Sequence, residues 1–479
     1  MSLVPEKNFM PRSRRRLSLS DLWLNDQTLK NVAVKMRRLS LSYTPPSEPD
    51  ETLAAIDHES GLDSFSPLSD ELLLLILSKL PESQHISNSA VCKRWTKLSG
   101  RLLRSVKLLD WDFLESGRLT YRFPNLTCVD LVRACIRCPR NSGIVASHKF
   151  VQVHLDTSFS VGGFIKKQDV LHPNMIDKGV RILSEGCPNL SKLVTIAGSE
   201  EVLSCIAEEC LTMQELELHC CSDSSLIGIS KCHNLQILKL IGHVNSFYDS
   251  VVSDIGLTIV AQGCKRLVKL ELVGCEGSFD GIKAIGQCCH MLEELTLHDH
   301  RMDGGWLAAI SYCTNLKTLK LQSCKNIDLN PGPDEHLGSC KTLDELHLQQ
   351  CRMQDKEGVR ALFVVCETVR KLVLDDCWGL DDNVFFFASN CRWVRYLSIE
   401  GCSLLSGDGF EAVVLTWREL ERLKVGSCNN IKGGEISPEL ISLFSVLKEL
   451  KWRPDSKSLL SSSLEGTGVG KKGGRSFNL

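Results

Sequence analysis

Apolar residues recur along most of this chain in the pattern L-x-x-L-x-L, with Val, Ile, Met or Phe replacing some leucines. The middle residues are Leu216, Leu238, Leu270, Leu295, Leu319, Leu346, Leu372, Leu397, Leu423 and Leu450. They are spaced 22, 32, 25, 24, 27, 26, 25, 26 and 27 apart. Alternation inside each triplet predicts a short strand with one buried face. Between triplets, residues 280–289, 304–313, 356–366 and 381–391 begin with acidic or glycine residues and then carry apolar residues at helical spacing. A strand–turn–helix unit of this length cannot bury its apolar face alone, so copies must stack. The predicted fold class is therefore α/β, a right-handed solenoid with parallel strands on the concave face and helices outside. It is clearest over 187–453 and begins near 111, with weaker early copies at Leu126/Val129/Leu131 and Phe150/Val153/Leu155. Insertions at 156–177 and 242–254 should project from one edge, where long loops on rigid scaffolds often carry recognition. Asn330-Pro331-Gly332-Pro333-Asp334 predicts a turn in place of a helix.

Twenty-three cysteines would by themselves suggest disulfides or zinc. The repeat changes that reading. Nine cysteines (187, 210, 232, 264, 289, 313, 340, 366 and 391) lie three residues before a triplet, and seven (221, 275, 324, 351, 377, 402 and 428) lie three after one. Small, easily buried thiols at two fixed positions predict reduced ladders inside the stack. Cys135-x-x-Cys138 lacks a second pair at zinc spacing, so no metal is expected. Met1 to Arg16 is polar and arginine-rich, without the apolar core of a secretory leader. The densest apolar run, Leu72–Leu77, is six residues long, against the roughly 20 a membrane span needs. A soluble protein of nucleus or cytoplasm is expected. With 56 Lys plus Arg against 58 Asp plus Glu, whole-chain binding of a polyanion is disfavoured and no nucleic-acid partner is expected.

Upstream of the repeats, Leu68-Ser69-Asp70-Glu71-Leu72 predicts a helix start, with Ser69 or Ser66 as N-cap and Pro81 as the stop. A second segment ends Val91-Cys92-Lys93-Arg94-Trp95. These segments, 68–73, 76–81 and 91–95, resemble the F-box over about 40 residues of chain. One departure is visible: Ser69 stands where the family has proline, and Pro67 precedes the leucine instead. The repeats and their cysteines resemble the cysteine-containing class of leucine-rich repeats, of plant-like type. The resemblance implies a module at 63–110 docking on a Skp-family adaptor and through it on a cullin–RING core, with the solenoid at 111–453 holding a protein target. Carried over residue by residue, the adaptor-binding set is Leu68, Leu72, Ile76, Leu77, Ile86, Val91, Cys92 and Trp95. The chain would then be a non-catalytic receptor subunit of an SCF-type ubiquitin ligase. A repeat scaffold with a non-functional F-box is the alternative.

In each strand the residues between leucines should line the concave face. They are polar and mixed in sign, unlike a phosphate-tracking groove. Candidate target-binding residues are His298, Gln322, His347, Gln349, Tyr396, Arg422, Lys424, Lys451 and Arg453. The last four form a basic end with only Glu449 opposing, which would suit an acidic or phosphorylated segment. No basic constellation matches the inositol phosphate site of auxin-receptor-type F-box proteins, and no cofactor is expected. The hexapeptide RRLSLS occurs at 15–20 and 37–42. Arginine ahead of serine makes Ser18 and Ser40 candidate phosphosites in a basic arm spanning 1–62, which could equally serve nuclear import. Leu22, Leu29, Val32, Met36 and Leu39 predict a short amphipathic helix there. Residues after 453 are Ser- and Gly-rich and predict a disordered tail.

Overall fold

The computed structural model describes residues 67–81, 84–136, 170–242, 251–432 and 436–454. The expectations for the N-terminal arm with Ser18 and Ser40, for Phe150/Val153/Leu155, for most of the insertions, for Cys138 and for the tail lie outside these. The chain divides into two compact units, through Leu102 and from Leu103.

In the first unit, Ser69 caps helix α1 (Asp70–Ser78), its hydroxyl accepting from the Leu72 N–H at 3.3 Å. Acidic Asp70 and Glu71 in the first turn complement the helix dipole. Two further helices follow, α2 (His85–Ser89) and α3 (Lys93–Leu102). Arg94 on α3 ties back to the start of α1, its guanidinium reaching Asp70 at 2.8 Å and the Leu68 carbonyl. Leu73, Leu77 and Leu98 form the centre of this module, with Leu68, Leu74, Leu80, Trp95 and Leu102 packed around them.

The second unit is an α/β leucine-rich-repeat solenoid, built on one parallel sheet of thirteen strands among the described residues. They are β1 (Ser105–Lys107), β2 (Cys128–Asp130), β3 (Lys192–Ile196), β4 (Glu215–His219), β5 (Ile237–Ile241), β6 (Lys269–Val273), β8 (Glu294–His298), β10 (Thr318–Gln322), β11 (Glu345–Gln349), β12 (Lys371–Asp375), β13 (Tyr396–Glu400), β14 (Arg422–Gly426) and β15 (Glu449–Arg453). A short pair, β7 (Glu276–Gly277) and β9 (Arg301–Met302), lies beside it. The sheet begins at Ser105, so residues 105–110 belong to the solenoid and not to the module expected at 63–110.

Register is set by the middle leucines, which stack strand on strand from Leu193 through Leu216 to Leu450. From Leu216 to Leu423 they are fully buried in one continuous core. A one-residue slip would turn each leucine outward, so burial pins the pairing. Between the strands lie helices α4 (Trp111–Glu115), α5 (Arg118–Arg122), α6 (Pro173–Gly186), α7 (Glu200–Glu209), α8 (Asp254–Gly263), α9 (Phe279–Cys288), α10 (Trp306–Ala309), α11 (Lys356–Val365), α12 (Asp382–Phe385), α13 (Gly407–Val414) and α14 (Pro438–Val446). Residues 330–333 form neither helix nor strand, with Gly332 at φ 80°, and a short 3-10 turn follows at Asp334–His336.

The sixteen ladder cysteines are all buried and reduced. In the first ladder a thiol donates to the carbonyl of the preceding ladder cysteine, as Cys289 does to Cys264 at 3.5 Å and Cys391 to Cys366 at 3.2 Å. In the second it reaches the last leucine of the preceding strand, as Cys351 does to Leu321 at 3.3 Å and Cys377 to Leu348 at 3.4 Å. Cysteine fits here because it is small and still donates a weak hydrogen bond. The residue before the second-ladder position sits in the left-handed region: Cys220, Gly274, Asp299, Ser323, Gln350, Asp376, Gly401 and Ser427, at φ between 42° and 71°.

Repeats are also joined by a relay of helix caps. Asp254 opens α8 and accepts from the backbone N–H (2.8 Å) and hydroxyl (2.7 Å) of Ser278 and from Gly281 N–H (2.9 Å). Ser278 is itself the cap of α9. Asp223 does the same for Ser253 and Gly256, and Asp382 for Ser406. A Cβ on Gly281 would lie 2.3 Å from the Asp254 carboxylate, so glycine is required there. Among the described residues no helix is long and apolar enough to cross a membrane.

Candidate interaction surfaces

Six successive apolar residues, Leu72–Leu77, lie on a helix that packs along one side only. Leu73 and Leu77 point into the module's core. On the other side Leu72 is 50%, Leu75 57% and Ile76 40% exposed. Positions 72, 75 and 76 share one face at helical spacing, so the helix shows an apolar stripe outward. Val91, 62% exposed, and Cys92 stand uncovered at the start of α3. Trp95 is half-buried against the leucine core and Leu68 likewise. Ile86 lies in α2, but its side chain is outside the described ones. Leu77, at 1% exposure, is a correction: its contribution is to the module's own packing and it offers no surface. Leu75 was missed, because a run of six apolar residues leaves no polar side to set the phase of the helix.

On the sheet, parallel register gathers the expected concave residues into rows. His298, Gln322 and Gln349 stand side by side on β8, β10 and β11, followed by Asp375, Glu400 and Arg453 at the same level. His347 lies one level inward, its Nε2 2.9 Å from Glu345, and burial lowers its pKa, as it does that of His298. At the basic end three of the four expected cations have partners on the sheet. The Arg422 guanidinium lies 5.0 Å over the Tyr396 ring, Lys424 meets Glu400 at 2.8 Å and Lys451 meets Glu449 at 2.6 Å. Glu400 is the opposing charge that the strand-by-strand reading left out. His219 on β4 is buried, its Nε2 3.0 Å from Glu217.

The buried thiols are poor nucleophiles. Burial pushes Cys232, Cys289, Cys313 and Cys391 up to about 12, and Cys187 to about 11, so thiolate is scarce at neutral pH. Cys135 of the CxxC is likewise buried and raised to about 12. Among the described residues no three His, Cys, Asp or Glu side chains are grouped to hold a metal. Some ladder positions depart from cysteine: Trp417 stands three residues before Leu420, and the second-ladder position after β8 is a histidine. This is His300, its Nδ1 accepting from Met302 N–H at 3.3 Å and its Nε2 buried without a partner. Burial drives its pKa down to about 4.

No family model matches the chain. Human F-box/LRR-repeat protein 12 is 24% identical over 326 residues, which span 63% of this chain and 92% of that protein. The bovine protein of the same name is 24% identical over 324 residues, spanning 62% and 91%. A relative matched over nearly its whole length adds to the helical module and the cysteine-laddered repeats already in view. The chain is similar to F-box/leucine-rich-repeat proteins. Among solved structures, a chain of the yeast Rad7–Elc1 complex is 14% identical and covers 82% of this protein and 94% of that chain, at a TM-score of 0.40. An internalin from Listeria monocytogenes is 13% identical, covers 62% and 80%, and has a TM-score of 0.34. Neither is close enough to carry an argument. The F-box resemblance thus falls on the helices that show an apolar stripe, and the repeat resemblance on the sheet with its paired charges.

Proposed function

We propose that this protein is the substrate-recognition subunit of an SCF-type ubiquitin ligase, acting in nucleus or cytoplasm and carrying no catalytic residue of its own. The observation that carries the reading is the uncovered stripe of Leu72, Leu75 and Ile76 with Val91 on a module whose own core is complete without them. A contiguous exposed apolar patch on a small helical module suits docking into a partner's groove. The partner proposed is a Skp-family adaptor, bridging to a cullin–RING core, with Leu68, Cys92 and Trp95 bordering the contact. The solenoid would hold a protein target on the concave side, among His298, Gln322, His347, Gln349 and their neighbours. Its contribution to the reaction is proximity: a captured target meets the ubiquitin-charged enzyme at raised effective concentration. The buried, high-pKa thiols support a receptor over a thiol-based ligase.

Co-precipitation of the Skp adaptor and cullin with the full chain tests this. Wild type should bring down both, and Trp95→Ala should reduce capture at least several-fold, as truncating an interface tryptophan does. Wild-type protein that captures neither would point to the alternative, a repeat scaffold with a non-functional F-box.

A further inference from the structure

The charges of the concave face follow a rule, and one strand breaks it. Each concave glutamate is paired with a lysine. Lys192 meets Glu215 at 2.8 Å, Lys239 meets Glu271 at 2.9 Å and Glu217 at 3.8 Å, and Glu294 lies between Lys269 and Lys320 at 2.9 and 2.7 Å. Lys371 meets Glu345 at 2.8 Å, and Glu400 and Glu449 take Lys424 and Lys451. Strand β12 ends on Asp375, and Asp376 follows it in the left-handed turn. Among the described residues neither side chain has a hydrogen bond or an ion pair. In register Asp375 stands beside Glu400, which holds Lys424 at 2.8 Å, so Lys424 reaches Asp375 only through its charge. Burial, followed by the Glu400 charge, raises the pKa of both aspartates, and Lys424 offsets part of this at Asp375 alone. The Asp376 carboxylate lies against Gly401, where a Cβ would come within 1.9 Å of its oxygen, so it is held at the strand end next to Glu400.

Two residues beyond Asp376, the Trp378 side chain is 55% exposed, and its backbone is fixed between Cys351 O and Met353 N–H at 2.9 and 2.7 Å. An exposed indole on a rigid backbone, two residues from Asp376 and three from Asp375, whose carboxylates make no ion pair among the described residues, suits a cation. Lysine and arginine stack on indole faces and pair with carboxylates at once. Gln349 and Gln350 continue the edge with neutral hydrogen-bonding groups.

We propose that the strand-end edge formed by Asp375, Asp376, Glu400 and Trp378 is a docking surface for a lysine- or arginine-rich segment of the target protein. The proposal rests on the reading of the solenoid as the target-holding face, and it assigns that target's chemistry. It reverses the charge expected from Arg422, Lys424, Lys451 and Arg453 as a row. Three of these are engaged with Tyr396, Glu400 and Glu449, and the charge left without a partner is acidic.

Fluorescence anisotropy of the full-length chain with two labelled peptides tests it, one rich in Arg and Lys and one of equal length rich in Glu. The basic peptide should bind, more weakly as salt rises. Asp375→Asn with Asp376→Asn should weaken it about tenfold and Trp378→Ala several-fold. Asparagine keeps the shape of aspartate and tolerates the left-handed turn, and thermal melting of each variant checks its fold. Neutralising two exposed acids elsewhere, Glu200→Gln with Glu201→Gln, should leave binding unchanged. The proposal is overturned if the basic peptide does not bind, if it binds the aspartate double variant as tightly as wild type, if the helix control weakens it equally, or if the acidic peptide is preferred. Capture of the Skp adaptor by the same samples reports separately on the ligase reading, so the failure of one is distinguishable from the failure of the other.

Discussion

The F-box module and the solenoid use leucine in opposite ways. In the solenoid, every middle leucine from Leu216 to Leu423 is buried against the next repeat, and the same position recurs in every strand. In the module three buried residues, Leu73, Leu77 and Leu98, suffice for the centre, while Leu72, Leu75 and Ile76 on the same helix face out. Composition alone cannot separate these roles. What separates them is whether the described residues supply cover: the stack does, repeat by repeat, and the short module does not.

That contrast can be broken most forcefully by truncating one leucine of each kind. Leu372→Ala opens a cavity in the stack and should cost about 3–4 kcal/mol, whereas Leu75→Ala should change stability by no more than about 0.5 kcal/mol. Urea unfolding of the two variants checks this, and similar losses would erase the distinction. The next effect is inside the solenoid, where His300 stands in a cysteine ladder. Its pKa of about 4 lies below the ordinary 6.5, so the unfolded chain takes up a proton first. The stability tied to this site is present above pH 6.5 and is lost as pH falls toward 4, by about 3 kcal/mol. His300→Cys should remove that part of the acid sensitivity, read as the pH dependence of the unfolding midpoint, and an unchanged slope would contradict it.

A smaller effect comes from the cap relay. Asp254→Ala strips three donors, the two on Ser278 and the Gly281 N–H, of their acceptor, and should cost about 2 kcal/mol. Hydrogen exchange should speed up most at the start of α9. Smallest is Gln350→Gly. It relieves a left-handed residue at φ 54° and should stabilise by up to about 1 kcal/mol. A loss on thermal melting would mean that the side chain matters more than the backbone there.

The fold was legible in the sequence because one triplet recurs ten times at near-constant spacing and the ladder cysteines keep step with it. The stripe on α1 was only half legible. Leu72 and Ile76 stand out through the family resemblance, but Leu77 and Leu75 exchange roles, since Leu72–Leu77 has no polar residue to orient it. The cap relay and the paired charges were hidden for a different reason. They join residues one repeat apart, such as Asp254 with Ser278 or Lys424 with Glu400, and neither partner is unusual by itself. Reading each strand alone made Lys424 a free cation; stacking the strands pairs it. The left-handed turns were announced only by Gly274 and Gly401, while Gln350, Asp376 and their equivalents look ordinary. His300 was visible as a gap in the cysteine ladder, three residues after Leu297.

The central claim is that the module's uncovered face, not its core, takes the adaptor. Its most direct test is the affinity of the purified chain for a Skp-family adaptor, measured by calorimetry for wild type and for the triple variant Leu72→Ala, Leu75→Ala, Ile76→Ala. The account predicts at least a tenfold rise in Kd, about 1.4 kcal/mol or more, with the unfolding midpoint unchanged. An unaltered Kd in a folded triple variant would contradict it.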